Sequence, residues 1–314
     1  MQDTLDDDAA AAGTVFGFEC GGVRLAATLF QAPGAGPSPA VLLCHGGGGV
    51  QDIAVRTYAA RFAAAGVTAM TFDYSTWGES DGEPRHLIDL GVRHREIMAA
   101  LDVLKAQACV DPERVALWGT SLGGGQVMHV AARRPDVAAV VIQCAAVDPM
   151  ALTGALSVGQ MLRLAGAGVE DAVRRALRLS PKYVGLIGKP GDLAVMTTPD
   201  TLSEMEALSP GGLPIPNKVA ARLVLELAAY KPLRKAHKIA APVLVCVADK
   251  DSLIPGEVQR RAARKAPRGE AIDYPAGHFE IYHGAWFEAV VEDQVRFLTR
   301  HLDSEARPGG AAIS

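Results

Sequence analysis

The chain is poor in aromatic residues, at 5%, and poor in cysteine, with five among 314 residues. Cys20, Cys44, Cys109, Cys144 and Cys246 form no CxxC pair, which excludes a disulfide framework. Cys44, Cys144 and Cys246 lie in short apolar runs, the setting of buried, reduced thiols, and this predicts a cytoplasmic protein. Positive charge is not in excess: the formal net charge is −4, so there is no broad basic field to attract nucleic acid or anionic lipid. Long hydrophobic runs are also missing. The mean hydropathy of +0.15 comes from scattered alanine and valine, and no segment approaches the roughly 18 uncharged apolar residues that a membrane helix needs. There is no HExxH and no zinc-type Cys/His spacing, which leaves no metal site to assign. Residues 1 to 12 are acidic, with Asp3, Asp6, Asp7 and Asp8, and do not follow the basic-then-apolar order of a signal peptide.

What the chain does have is 49% hydrophobic residues, enough to bury a large core, arranged in an alternating pattern. Phe16–Cys20 and Val23–Phe30 flank Gly21-Gly22 and read as a tight hairpin. Strand candidates then alternate with helix candidates. The strands are Ala40–Cys44, Val67–Asp73, Arg114–Trp118, Val137–Cys144, Pro242–Val247 and Glu270–Tyr274. The helices are Arg56–Ala65, Leu87–Ala106, Leu122–Arg134, Glu257–Ala266 and Gly284–His301. Strands apolar on both faces, separated by helices, predict an α/β fold: an open, mostly parallel sheet with helices on both sides.

The alternation lapses between Met150 and His237. Helical patches (Met150–Ala165, Glu170–Leu179, Val219–Tyr230) are interrupted there by prolines, and no clear strand is visible. The expected organisation is a tail over 1–14, a core over 15–148 and 236–303, an inserted helical cap over 149–235, and a flexible tail over 304–314. The arginines at 174, 175 and 178 read as a solvated helix face.

The sharpest local feature is Gly119-Thr120-Ser121-Leu122-Gly123, set between a strand and a helix. A serine on such a sharp turn takes a strained backbone and projects its hydroxyl from the sheet edge, so its neighbours two positions away must be small. A serine is inert at neutral pH without a base and an orienting acid. Both belong after later strands in the order serine, acid, histidine. Asp249 and Asp251 follow one such strand, and His278 follows the next; Asp148, after Val137–Cys144, is a second possible acid ranked below Asp251, and His283 is a secondary base. His45-Gly46-Gly47-Gly48-Gly49 offers side-chain-free backbone N–H groups that, with the N–H of Leu122, can hold a developing oxyanion. No Lys-Ser/Thr ends that glycine run, so it is not a phosphate-binding P-loop. The run Trp77–Glu83 is out of register for a calcium loop and reads as a turn.

These motifs, with Phe72-Asp73-Tyr74, Gly78-Glu79-Ser80-Asp81-Gly82, Ile254-Pro255 and Gly277-His278-Phe279, resemble the α/β-hydrolase superfamily across residues 15 to 303. Within it the chain looks most like the esterase, thioesterase, dienelactone-hydrolase-like and Xaa-Pro-dipeptidyl-peptidase-like subgroup, some relatives of which are polyketide acyltransferases. The resemblance implies Ser121 as nucleophile, His278 as base, Asp251 as acid, and Gly47 and Leu122 as oxyanion donors. Asp251 is favoured over Asp249 because the family acid stands shortly before a hydrophobic-Pro pair, here Ile254-Pro255. Two departures stand out: Gly47 occupies a position that is often aromatic, and Thr120 separates the elbow from that of hormone-sensitive-lipase relatives.

The expectation is a serine hydrolase of a small ester or thioester with no cofactor. Leu156, Met161, Leu162, Leu164, Val195 and Met196 in the cap favour an apolar acyl group. The same machinery serves an acyltransferase, with an acyl carrier as a candidate partner. A catalytically silent small-ligand-binding homologue would ordinarily have lost a member of the triad, and all three positions are filled.

Overall fold

The computed structural model describes residues 13–148, 156–209 and 215–303. Of the tail expected over 1–14, residues 1–12 lie outside them and Thr14 is already in the first strand; the tail expected over 304–314 and residues 149–155 and 210–214 of the expected cap also lie outside them. Among the described residues, eight strands make the main sheet in the order β1-β2-β4-β3-β5-β6-β10-β11. They are β1 (Thr14–Cys20), β2 (Val23–Phe30), β3 (Ser38–Cys44), β4 (Thr68–Phe72), β5 (Val110–Thr120), β6 (Ala139–Gln143), β10 (Val243–Ala248) and β11 (Gly269–Tyr274). Only β2 runs against its neighbours β1 and β4. Gly21 and Gly22 both take positive φ, 60° and 80°, which is what a two-residue hairpin demands of its centre.

Each central strand is apolar on both faces because both are covered. Leu42, Leu117, Val140 and Val245 pack on one side with α2 (Leu90–Lys105), α3 (Leu122–Ala131) and α7 (Gly256–Lys265). Their sequence neighbours Leu43, Trp118, Val141 and Leu244 pack on the other, with α1 (Val55–Ala64) and α8 (Gly284–Leu302). Each large aliphatic side chain so buried contributes roughly 1.5–3 kcal/mol, and alternation along the strand doubles the number that can do so. The pairing register brings Cys44, Thr120, Gln143, Ala248 and Tyr274, the last residues of β3, β5, β6, β10 and β11, to one edge of the sheet.

The segment between β6 and β10 differs in detail from the sequence expectation. The two patches expected around residues 150–179 are one continuous helix, α4 (Val158–Ala176), opened by a capping box between Ser157 and Gln160. Gly166 and Gly168 do not interrupt it. Three short strands follow where none was expected: β7 (Tyr183–Ile187), β8 (Ala194–Met196) and β9 (Val219–Ala220), paired in the order β8-β7-β9. At five, three and two residues they are too short to show alternation. Two more helices, α5 (Thr201–Leu208) and α6 (Leu223–Ala229), complete the segment. It packs over the strand-end edge through Leu164, Val184, Leu186 and Leu223, which meet Leu122, Leu253, Ile254 and Phe279 of the sheet loops. Among the described residues no helix is long and apolar enough to cross a membrane.

Three histidines make the fold sensitive to acid. Burial, aided by the charge of Arg93, pulls His45 down to about 3. His94 and His129, stacked at 3.8 Å, are held at about 4 and about 3 by desolvation and neighbouring positive charge. An unfolded imidazole takes its proton near pH 6.5, whereas these resist it. Their contribution is therefore fully present above about 6.5 and is lost as pH falls toward the folded values. Urea midpoints are expected to drop between pH 7.5 and 4.5, and His129→Gln is expected to flatten that decline.

Candidate active site

Ser121 joins β5 to α3 with φ 54° and ψ −124°, a conformation that strains any residue bearing a Cβ by roughly 1–3 kcal/mol. Its surroundings hold it there. The Ser121 N–H donates to the Gln143 carbonyl at 3.0 Å, and the Ser121 carbonyl accepts from Gly124 and Ala146 at 3.1 and 2.8 Å. The flanking glycines are sterically required: a Cβ on Gly123 would stand 2.4 Å from the carbonyl oxygens of Cys44 and His45, and one on Gly119 would stand 2.6 Å from the Gly123 carbonyl. Gly123→Ala is therefore expected to destabilise the protein by about 1–3 kcal/mol, read as a fall in the urea midpoint.

His278 and Asp251 come to the same edge on the loops after β11 and β10. His278 Nε2 lies 3.2 Å from Ser121 Oγ, and its Nδ1 lies 2.7 Å from Asp251 Oδ2. The imidazole is 3% exposed. Asp251 is held by its own loop: Oδ1 accepts the N–H groups of Leu253 and Ile254 at 2.8 and 2.7 Å, and Oδ2 also accepts from Gln259 Nε2 at 3.2 Å. A carboxylate can only accept, so Nδ1 carries the proton and the Nε2 lone pair faces the serine hydroxyl.

The other candidates lie elsewhere. Asp249 is half exposed and pairs with Arg260, which also holds Asp273. Asp148 lies on the loop after β6, and His278 makes its carboxylate contact with Asp251 instead. His283 is the N-cap residue of α8. Gln259, which no motif marks, is a supporting residue that sequence reasoning missed. So is Tyr282, whose hydroxyl meets Thr120 Oγ1 beside Ser121.

Gly47 sits against the start of α3, where a Cβ would come 3.2 Å from Leu122 Cδ2. Leu122 is the first residue of that helix, so its N–H has no intrahelical acceptor and carries the positive end of the helix dipole. His45, kept neutral, anchors the glycine run through Nδ1 to the Gly46 carbonyl at 3.0 Å.

Two apolar clefts meet at Ser121. The first is lined by Ile88, Leu156, Val195, Leu223, Leu227 and Leu253. The second is lined by Ile53, Val55, Met205, Leu208, Phe279 and Tyr282. Gly47, Ser121, Leu186, Met196 and His278 border both. Of the cap side chains singled out in the sequence, Leu156, Val195 and Met196 line a cleft, Leu164 packs inside the segment, Met161 is half-buried and Leu162 is exposed. Among the described residues no group of three or more His, Cys, Asp or Glu is placed to hold a metal ion.

Comparison with known proteins places this geometry in context. Residues 35–294 match the profile of the family described as serine aminopeptidase, S33. The quorum-quenching protein AidA of Acinetobacter baumannii (strain MDR-ZJ06) is 39% identical over 283 residues, covering 90% of this chain and 93% of that protein. The polyketide transferase grgF of a Penicillium species is 26% identical over 287 residues, 90% of this chain and 94% of its own. The thiohydrolase apmlB of Arthrinium phaeospermum is 30% identical over 174 residues, 55% of each chain. Among solved structures, the α/β hydrolase GrgF from Penicillium sp. sh18 superposes with a TM-score of 0.79 at 22% identity, covering 92% of this chain and 98% of that one.

Proposed function

The chain belongs to the serine aminopeptidase S33 family of α/β hydrolases, and from that premise we propose that it is a serine hydrolase of small, apolar esters or thioesters. The observation that carries this reading is the unbroken line from Ser121 Oγ through His278 to the Asp251 carboxylate, opening on an apolar cleft. Ser121 Oγ attacks the carbonyl carbon while its proton passes to His278 Nε2. Asp251 holds the tautomer and stabilises the imidazolium. The N–H groups of Gly47 and Leu122 receive the oxyanion. Collapse breaks the bond to the leaving alcohol or thiol, which takes the proton from Nε2. Water then gives a proton to Nε2, attacks the acyl-enzyme and releases the acid, restoring the serine.

Residues 149–235 act as a cap on a core formed by 15–148 and 236–303. The apolar lining of the first cleft favours an acyl chain over a charged group. The five unpaired cysteines favour action in the cytoplasm. The quorum-quenching relative adds small signalling molecules to the substrates worth testing, and the thiohydrolase relative adds thioesters.

A second reading, acyl transfer, is supported by the second cleft, which gives an acceptor other than water its own approach to Ser121. The polyketide transferase relatives point the same way. A panel of p-nitrophenyl esters of increasing chain length, run beside acyl-thioesters with and without an alcohol or amine acceptor, separates the two. Hydrolysis predicts free acid whatever acceptor is present, with rates rising with chain length until the cleft is filled. Transfer predicts acyl-acceptor product and slow turnover in its absence. Negligible turnover across the whole panel would overturn the ester and thioester reading.

A further inference from the structure

The helix α5 and the turn before it do more than lie over the cleft. Glu204 Oε2 accepts the backbone N–H of Phe279 at 2.9 Å. The same carboxylate packs against Gly277, where a Cβ would fall 2.4 Å from Glu204 Oε1. Glu204 therefore touches the residues on either side of His278. A few residues earlier, Asp200 Oδ1 accepts the hydroxyl of Ser252 at 2.6 Å, and that hydroxyl also lies 2.9 Å from Thr198 Oγ1. Ser252 is the residue after Asp251. Asp200 and Thr198 are joined to each other at 2.7 Å, and Thr198 to Thr201 at 2.6 Å, so the turn is braced from within.

The two loops that bear the acid and the base thus share one strut, and the strut belongs to the inserted segment. We infer that residues 198–204 are a positioning clasp, in which Glu204 on the Phe279 N–H and Asp200 on the Ser252 hydroxyl set the His278–Asp251 pair against Ser121. The cap on this account assembles the active site as well as covering it. The inference rests on Ser121, His278 and Asp251 acting as proposed above.

The charged groups around Glu204 are Asp200, Glu280 and His278, and burial raises its carboxyl above its ordinary value. Glu280 is turned to the Gly277 N–H at 2.7 Å, which leaves Glu204 to serve the other side of the histidine.

The test compares Glu204→Ala, Glu204→Gln and Ser252→Ala with the wild type. The readouts are the rate of fluorophosphonate labelling of Ser121, and kcat and KM on a p-nitrophenyl ester. Glu204→Ala is expected to slow labelling and lower kcat about tenfold with KM little changed, the scale of one lost charge-assisted hydrogen bond. Glu204→Gln still accepts the N–H and is expected to recover most of that rate. Ser252→Ala is expected to lower kcat about threefold, the scale of one neutral hydrogen bond. Should Glu204→Ala fail to fold, Ser252→Ala decides alone. Labelling and kcat indistinguishable from wild type in Glu204→Ala and Ser252→Ala would overturn the clasp. A wild type that is not labelled, or is labelled equally in Ser121→Ala, would instead overturn the serine-hydrolase reading on which the clasp rests.

Discussion

Ser121→Ala is expected to lower kcat/KM by about 10⁴-fold or more while leaving the thermal midpoint close to that of wild type. The serine backbone, not its hydroxyl, holds the elbow: Gln143, Gly124 and Ala146 all bond to main-chain atoms of residue 121. Alanine has the same Cβ and meets the same strain at φ 54°. The substitution therefore removes the hydroxyl proposed to attack and little else. Residual turnover should be slight, because no nucleophilic oxygen remains on residue 121. Ester turnover and circular dichroism on one preparation check both halves. Near-wild-type turnover in the variant would mean that another group attacks the substrate.

The second large effect is at the acid. Asp251→Asn is expected to cost about 10³–10⁴-fold in kcat, with folding retained. The asparagine oxygen can still accept the N–H groups of Leu253 and Ile254, so the loop keeps its shape. Its amide then faces His278 Nδ1, and two donors cannot meet there. The imidazole must move its proton to Nε2, which leaves no lone pair toward Ser121. The control is Asp249→Asn, expected to stay within about twofold of wild type because Asp249 is half exposed and pairs with Arg260, away from His278. Equal losses from both substitutions would show that general damage to the loop, not the tautomer, is responsible.

Much of this arrangement is legible in the sequence because the features that carry it are local. The glycines around Ser121 are dictated by contacts within one turn and against one neighbouring strand end, so they appear as a motif. The central strands read clearly because burial on both faces leaves unbroken apolar runs such as Ala40–Cys44. The choice between Asp249 and Asp251 is not local. It depends on which carboxylate its loop turns inward, and that is set by Gln259 reaching back from α7 and by Arg260 drawing Asp249 outward. Two residues apart, the aspartates look alike on paper, and only family resemblance separated them.

The segment over the strand-end edge was the least legible part. Its strands have at most five residues and are pinned by side chains far along the chain. Asn217 accepts the N–H groups of Leu186 and Ile187 and donates to the Ile187 carbonyl, a pairing that no local pattern announces. Gly166 and Gly168 suggest a break in the helix. Packing outweighs propensity at Gly168, where a Cβ would come 3.1 Å from Leu225 Cγ of α6. Glu204 carries no motif either, since its partner is a backbone N–H on a loop 75 residues away.

The central claim is a covalent acyl intermediate on Ser121, formed with His278 as the base. Acid quenching of the wild-type protein within the first turnover of a p-nitrophenyl ester, followed by peptide mass mapping, tests it most directly. The account predicts the acyl mass on the peptide containing Ser121, in step with a burst of one p-nitrophenol per chain, and neither in His278→Ala. Continued turnover with the acyl group on a different residue, or an undiminished burst in His278→Ala, would contradict it.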